Sequence, residues 1–575
     1  MIKRPRLTRH YGIDREVNLL DYFSPYLTGN ELFLQKTSLD SIIEILKRRV
    51  KPAAMFLILS QLGSSKQENA DFFKNDFLKY LDAALIQTAN EHPEYESAVP
   101  YFRKHVHQLI SERPIYFPQG LFSLWKYILV HCESLTPPSS QDVFEQYELV
   151  FPLVMRFGDV LSEQSRGTEV DLFQAVVFGE KPNFEQSLMR TIALYFIIAK
   201  DAKRFKQDYF DFEQGFKDNY GINLLDYISA LFGLYAMWKQ KVLDAGGKIR
   251  VDWYQSISTA YENTAMADII TDIIKPLCFT FEEGKIACKE SMLEPWDFKF
   301  FHDHPLYLFP DDSIIPVNLP VLEYALTEGL FWKIRVCFPQ EDVRFLNFFG
   351  KPLEYYVYDM VSGACKLSSS TYILYPEIKF GPKKERHDSP DIIIRAGKKA
   401  LVIEVKAKRL RYETSVVQGD IVSIQSDKQL MAVEPMEQLY DRMKQILNHE
   451  CEEIDLDGVT ELHLVLATLG EFPHIPSFED EVHKAWNKLN GIKEKLYFHR
   501  MSIEDVELLS GLLTRHSKDV FALLRHFAKS PYISFRRFIF GRGISVRNPQ
   551  LFNEEITKLL KTATENMFRV IKDNN

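Results

Sequence analysis

Residues 389–408 read "SPDIIIRAGKKALVIEVKAK". Two apolar runs flank a short turn, which predicts a β-hairpin, yet Asp391 stands at the mouth of the first run, and Glu404 and Lys406 lie inside the second. Charged side chains within an apolar strand cost stability unless they are paired or put to use. Alternation along "ALVIEVKAK" puts Val402, Glu404, Lys406 and Lys408 on one face and Leu401, Ile403, Val405 and Ala407 on the other. Gly397 suits the first central position of a two-residue II′ turn. A two-residue loop at Gly397-Lys398, or a four-residue loop with the same centre, pairs Ile394 with Leu401, Ile392 with Ile403, and Asp391 with Glu404; a three-residue loop breaks that register. In this register two carboxylates face each other about 5 Å apart at Cβ. Like charges there repel and raise one partner's pKa unless a cation lies between them. A hard divalent ion with oxygen ligands resolves the conflict, and Mg²⁺ takes one or two carboxylates plus water and phosphate oxygens. The alternative is a solvated edge hairpin.

Pro390-Asp391 followed by Glu404-Val405-Lys406 resembles the PD-(D/E)XK motif of the restriction-endonuclease-like nuclease superfamily, in its strand–turn–strand setting as well as its letters. The neighbouring segments follow the same layout over roughly residues 300–515. "GKPLEYYVYDMV" (350–361) reads as the preceding helix, "TYILYPEIKF" (371–380) as the first core strand, and "EPMEQLYDRMKQIL" (434–447) with "ELHLVLATLG" (461–470) as the later helix and strand. The resemblance implies a metal-dependent nuclease, cutting within or from the end of a strand, with DNA ahead of RNA as substrate. Asp391, Glu404 and the Val405 carbonyl would hold Mg²⁺ or Mn²⁺, and Lys406 would orient or activate water and offset charge on the phosphate. Glu354 matches the acid that the family often carries on the preceding helix. Pro352 suits a first helical turn, where an acid also favours the helix dipole. Gln438 matches a glutamine often found on the later helix, with a solvated flank as its other reading. His387 and Asp388 read as loop residues, and Glu377, after Pro376, as a bulge or edge position.

Basic residues crowd the hairpin: Lys383, Lys384, Arg386, Arg395, Lys398, Lys399, Lys408, Arg409 and Arg411. From His526 to Gln550 the chain carries Lys529, Arg536, Arg537, Arg542 and Arg547 among Tyr532, Phe535, Phe538 and Phe540, with no Asp or Glu. Lys408, Arg442, Arg536, Arg537 and Arg542 are the candidate nucleic-acid contacts, by phosphate pairing and base stacking. An amphipathic helix with a wet basic face is the alternative.

At 575 residues the chain is too long for one core. Its 46% hydrophobic and 26% charged residues are those of a globular protein, and a formal net charge of −9 confines any nucleic-acid surface to a local basic patch. Six cysteines without C-x-x-C or zinc spacing fit a reducing cytoplasm. The basic start "MIKRPRLTRHYGIDREV" (1–17) is not followed by a signal-peptide apolar core, and "AAMFLILSQL" (53–62) and "IALYFII" (192–198) are too short to span a membrane.

The expected architecture is a large all-α region over 1–295, an α/β nuclease-like domain with a central mixed sheet flanked by helices over 296–515, and a helical basic tail over 516–575. "SLTPPSSQD" (134–142) is a candidate sub-boundary. Helices are expected at 38–50 after a Ser38 cap, 76–87 and 188–205. Two further readings stand beside nuclease activity: a nuclease fold that binds nucleic acid without cutting, and a helical half that binds a protein partner with the nuclease as effector.

Overall fold

The computed structural model describes residues 27–568 except 35–36, 66–69, 134–138, 165–167, 180–182, 263, 265, 293, 383–385, 471, 515–518 and 547–551. The basic stretch 1–17, Lys383, Lys384, Arg547 and most of the proline-serine loop at 134–138 lie outside the described residues. The chain divides into two compact units, neither continuous in sequence. One draws on Ser24–Arg166, Phe212–Pro339 and Lys558–Asn575, the other on Gly167–Asp211 and Gln340–Thr557. The expected boundary at 295/296 therefore falls inside the first unit, and the candidate sub-boundary at 134–142 divides neither.

The first unit is mainly helical. Helix Leu39–Arg49 starts where Ser38 accepts a hydrogen bond from the Ser41 backbone N–H. Pro52 opens helix Pro52–Ser64, where its missing N–H costs nothing. Nearly all of that helix is buried, and Phe56 stacks on Trp125 at 4.1 Å between ring centroids. Four short strands, Gln255–Ser256, Cys278–Phe279, Leu306–Leu308 and Ser313–Pro316, form a small sheet here. Thus the two strands within residues 303–318 pair with strands from the region expected to be all-α.

The second unit holds the hairpin. Helix α1 spans Arg344–Leu367. Pro352 lies inside it rather than in its first turn, so the dipole argument for Glu354 does not apply. The apolar series Phe345, Phe348, Phe349, Leu353, Val357 and Met360 is buried along one side and carries the helix through the proline. Strands β1 (Ile373–Pro376), β2 (Ile392–Ala396) and β3 (Lys399–Lys406) follow. A helical rod then runs from α2 (Ile421–Lys428) through a π-helical turn, Gln429–Val433, into α3 (Glu434–Leu447). It begins thirteen residues before the expected start at 434, since the wider turn breaks the 3.6-residue pattern. Strand β4 (Glu461–Thr468), helix α4 (Pro476–Trp486), strand β5 (Lys495–Ser502) and helix α5 (Ile503–Leu513) complete the set.

The sheet order is β5-β4-β3-β2-β1. The pairs β1/β2 and β2/β3 are antiparallel, while β3/β4 and β4/β5 are parallel. The hairpin takes the anticipated register: Ala396 opposite Lys399, Ile394 opposite Leu401, Ile392 opposite Ile403. Gly397 has φ +60°, whereas Lys398 stays out of the left-handed region, as a II′ turn requires. Ile393, Val402 and Leu464 pack with Leu439, Met443 and Ile446 of α3. Each such buried aliphatic side chain contributes about 2 kcal/mol. The opposite face of β3, Leu401, Ile403 and Val405, is buried as well.

Segment Gly167–Asp211, from the half expected to be a separate helical domain, packs into this unit. Phe173 of helix Glu169–Gly179 joins Ile424, Phe472 and Phe478. Arg190 of helix Phe184–Ile192 pairs with Glu507 at 2.8 Å. The helix expected over 188–205 starts at Phe184, continues through a π-helical stretch, Ala193–Ile198, and stops there; a separate short helix, Ala202–Phe205, follows an Asp201 cap. The tail forms helices Val520–Phe527, Phe535–Gly541 and Asn553–Phe568. Among the described residues no helix is long and apolar enough to cross a membrane.

Candidate active site

The site lies where β1, β2 and β3 end together. The register Pro376–Ile392–Ile403 runs across the three strands. One step further, the same row takes in Glu377, Asp391 and Glu404. Two backbone contacts fix this corner: the Ile378 N–H donates to Ser389 Oγ, and the Ser389 N–H donates to the Ile378 carbonyl, both at 2.9 Å. Ser389 is buried, so this clasp holds the chain on either side of Glu377 and Asp391.

Asp391 Oδ2 accepts a hydrogen bond from the Val405 N–H at 2.6 Å. In a strand the N–H and C=O of one residue point to the same edge. The Val405 carbonyl therefore also faces the Asp391 side, beyond the last β2/β3 pair. Lys406 Nζ donates to Glu404 Oε1 at 2.6 Å, a contact that the shared strand face makes natural.

Negative charge is in excess. Burial, then the charges of Glu404 and Glu354, push the Asp391 carboxyl well above the usual carboxylate range, against the opposing Val405 N–H and Lys406. Glu354, reaching in from α1, is pushed up to about 7, first by burial, then by Glu377, with Glu404 adding. Glu377 is raised by partial burial, Asp388 and Glu404. Burial disfavours the Lys406 ammonium, but Glu404, Asp391 and Glu354 outweigh it and raise its pKa. Glu354 thus shares the field of Asp391 and Glu404. Glu377 shares it too, a role the sequence signalled only through its place after Pro376.

Other expected contributors are elsewhere or engaged. Gln438 is exposed on α3, with no hydrogen bond to the acids or to Lys406 among those described. Arg442 donates to Gln445 at 3.2 Å. His387 and Asp388 form a short strand paired with Lys379–Phe380 rather than a loop. Of the hairpin's basic residues, Arg395 pairs with Asp455 at 2.8 Å, Lys399 with Asp519 at 3.3 Å and Arg411 with Asp427 at 2.7 Å, whereas Lys408 is exposed. In the tail, Arg536 pairs with Glu504 at 2.5 Å and Arg542 lies over the Phe538 ring at 4.4 Å. The Arg537 backbone N–H meets the Ser534 cap at 3.5 Å. Phe535 and Phe538 are core residues, Tyr532 donates to Asp480 at 2.8 Å, and Phe540 remains exposed. The tail's aromatics are thus mostly structural.

Among the described residues no group of three or more His, Cys, Asp or Glu side chains is arranged to hold a metal ion. Mg²⁺ needs fewer protein ligands than that. The oxygen-only set of Asp391, Glu404 and the Val405 carbonyl, with uncompensated negative charge around it, fits a hard dication in kind.

No protein-family model matches the chain, and no curated protein matches it. Among solved structures, the chain is similar to the small subunit of the heterodimeric restriction endonuclease R.BspD6I, with 14% identity over 37% of this chain and 90% of that one, at a TM-score of 0.17. At that score the likeness has no weight for fold or function.

Proposed function

We propose that the chain is a metal-dependent nuclease that hydrolyses phosphodiester bonds, with DNA ahead of RNA as substrate. The observation that carries this reading is the meeting of Asp391, Glu404 and Glu354 in one electrostatic field with Lys406, at a strand end whose register the sequence dictates. Asp391, Glu404 and the Val405 carbonyl would hold Mg²⁺ or Mn²⁺, which when bound supplies Lewis-acid polarisation of the phosphate and a more acidic water. Asp391 is kept in place by the Val405 N–H. Lys406, with its raised pKa, stays protonated at neutral pH. Its part is therefore to orient water and stabilise charge building on the phosphate oxygens, rather than to take the proton itself. Glu354 and Glu377 add negative charge that favours a cation in the site.

A second reading, binding without cutting, draws on the Lys406–Glu404 contact, which partly neutralises one acid. One assay separates the two. Purified protein is incubated with plasmid, single-stranded DNA and RNA, in Mg²⁺, Mn²⁺ or EDTA, beside Asp391→Ala and Lys406→Ala. The nuclease reading expects metal-dependent cutting that both substitutions abolish. Cutting that survives both sinks this site, and retained binding without cutting favours the second reading.

A further inference from the structure

We propose that Gln174 is a positioning residue for this site, holding the segment that leaves β3 so that Lys408 stands ready for a substrate phosphate. The proposal rests on the nuclease reading. Gln174 lies on helix Glu169–Gly179, more than two hundred residues before the hairpin. It is buried, and its Nε2 donates to two consecutive carbonyls, Val416 at 2.8 Å and Val417 at 2.9 Å. Gly419 lets the segment come this close: its φ is +61°, and a Cβ there would lie 2.5 Å from Val170 Cγ1 and 3.2 Å from Gln174 Nε2.

A second fastening comes from buried Asp427 of α2. It accepts from the Arg411 N–H at 3.0 Å, Arg411 Nε at 2.7 Å and Ser415 Oγ at 2.5 Å. A third comes from the chain just after β4, where the Gly470 N–H donates to the Lys408 carbonyl at 3.1 Å. The strap from Ala407 to Gly419 is thus pinned at its start, middle and end. Lys408, near its start, keeps an exposed side chain two residues after Lys406, about 7 Å along an extended chain. Val416 and Val417 are buried at the end of a π-helical turn, Tyr412–Val417, so their carbonyls need a partner other than water. Burying an amide side chain against them costs free energy unless its hydrogen bonds are made, and it fixes the strap to one conformation.

The test is a double-mutant cycle in the full chain. Gln174→Leu removes both donors with little change of shape, and Lys408→Ala removes the cation. Initial rates are followed on a fluorescent DNA duplex with Mg²⁺ at low salt, alongside thermal melting. Gln174→Leu should raise KM about tenfold, with kcat within about twofold, as expected for lost uniform binding. Lys408→Ala should do the same, and the double variant should be no worse than either single one. Trypsin should nick Gln174→Leu at 408–411, where the wild type resists. Should Gln174→Leu lose its melting transition, Gly419→Ala displaces the strap by a separate contact and replaces it in the cycle. Strict additivity, or wild-type kinetics in the strap variant, overturns the proposal while wild-type cutting leaves the nuclease reading intact. If the wild type binds duplex without cutting, the same cycle on Kd decides. A wild type that neither cuts nor binds overturns both.

Discussion

Two sets of acids lie against the second unit's sheet, one partly exposed and one deeply buried. At the ends of β1–β3, Asp391, Glu404, Glu354 and Glu377 share Lys406, and the pKa values of Asp391, Glu354 and Glu377 are raised. On α4, Glu479 is only 4% exposed, yet its carboxyl is held below the usual range. Burial pushes it up, but Arg500 and His474 outweigh burial: Arg500 forms an ion pair with Glu479, and His474 Nδ1 lies 2.9 Å from the same oxygen. Burial therefore does not explain the difference, since the more deeply buried acid is the one held low. What separates them is whether each acid has its own cation. The α4 network is balanced, as a structural ion network must be. The strand-end cluster is short of positive charge, as a site awaiting a cation is.

The largest effect should come from the unbalanced cluster. Asp391→Asn should cut cleavage about a thousandfold or more, since it removes a ligand oxygen's charge, while raising Tm by a few degrees because a repelled charge is gone. A fall in both would make Asp391 a structural acid and erase the contrast. Glu479→Gln should do the reverse, costing about 3 kcal/mol in urea unfolding because Arg500 is left buried without its partner, with cleavage per folded molecule unchanged.

A third test uses the buried histidine pair on β4 and β5. His463 Nδ1 lies 3.0 Å from His499 Nε2, and His463 Nε2 lies 2.9 Å from Glu461. Burial lowers His463 to about 4, against the pull of Glu461. The folded state thus binds its proton less readily than the unfolded chain. Stability is full above pH ~6.5 and falls as pH drops toward 4, by about 3 kcal/mol. His463→Gln should reduce that slope in urea melts between pH 7 and 4, and an unchanged slope would rule His463 out as its source. The smallest effect belongs to Glu377→Gln. Calorimetric Mn²⁺ affinity should weaken a few-fold, about 1 kcal/mol or less, with Tm level or slightly up. Unchanged affinity would place Glu377 outside the cluster.

The hairpin was legible because two local facts sufficed: an apolar run that turns to alternating apolar and charged residues over Ile403–Lys406, and a glycine where the turn needs positive φ. The helix that carries Glu354 is legible, but Pro352 misplaces its start, since a buried aromatic stripe outweighs one lost backbone hydrogen bond. Charge counting misled more. It registers Arg536 and Arg395 as free cations, but Glu504 and Asp455 take them, and neither partner is near in sequence. Least legible was the membership of Gly167–Asp211. Gln174 meets Val416 across 242 residues and Arg190 meets Glu507 across 317, and no periodicity reports such distances.

That last feature bears on synthesis. Helix Glu169–Gly179 leaves the ribosome with Phe173 uncovered, and the residues that will cover it, Ile424, Phe472 and Phe478, are made only about 250 to 300 residues later. At typical elongation rates the wait is on the order of tens of seconds, while the intervening segment of the first unit is still being made. The newborn chain must therefore carry an uncovered aromatic surface through about half of its translation.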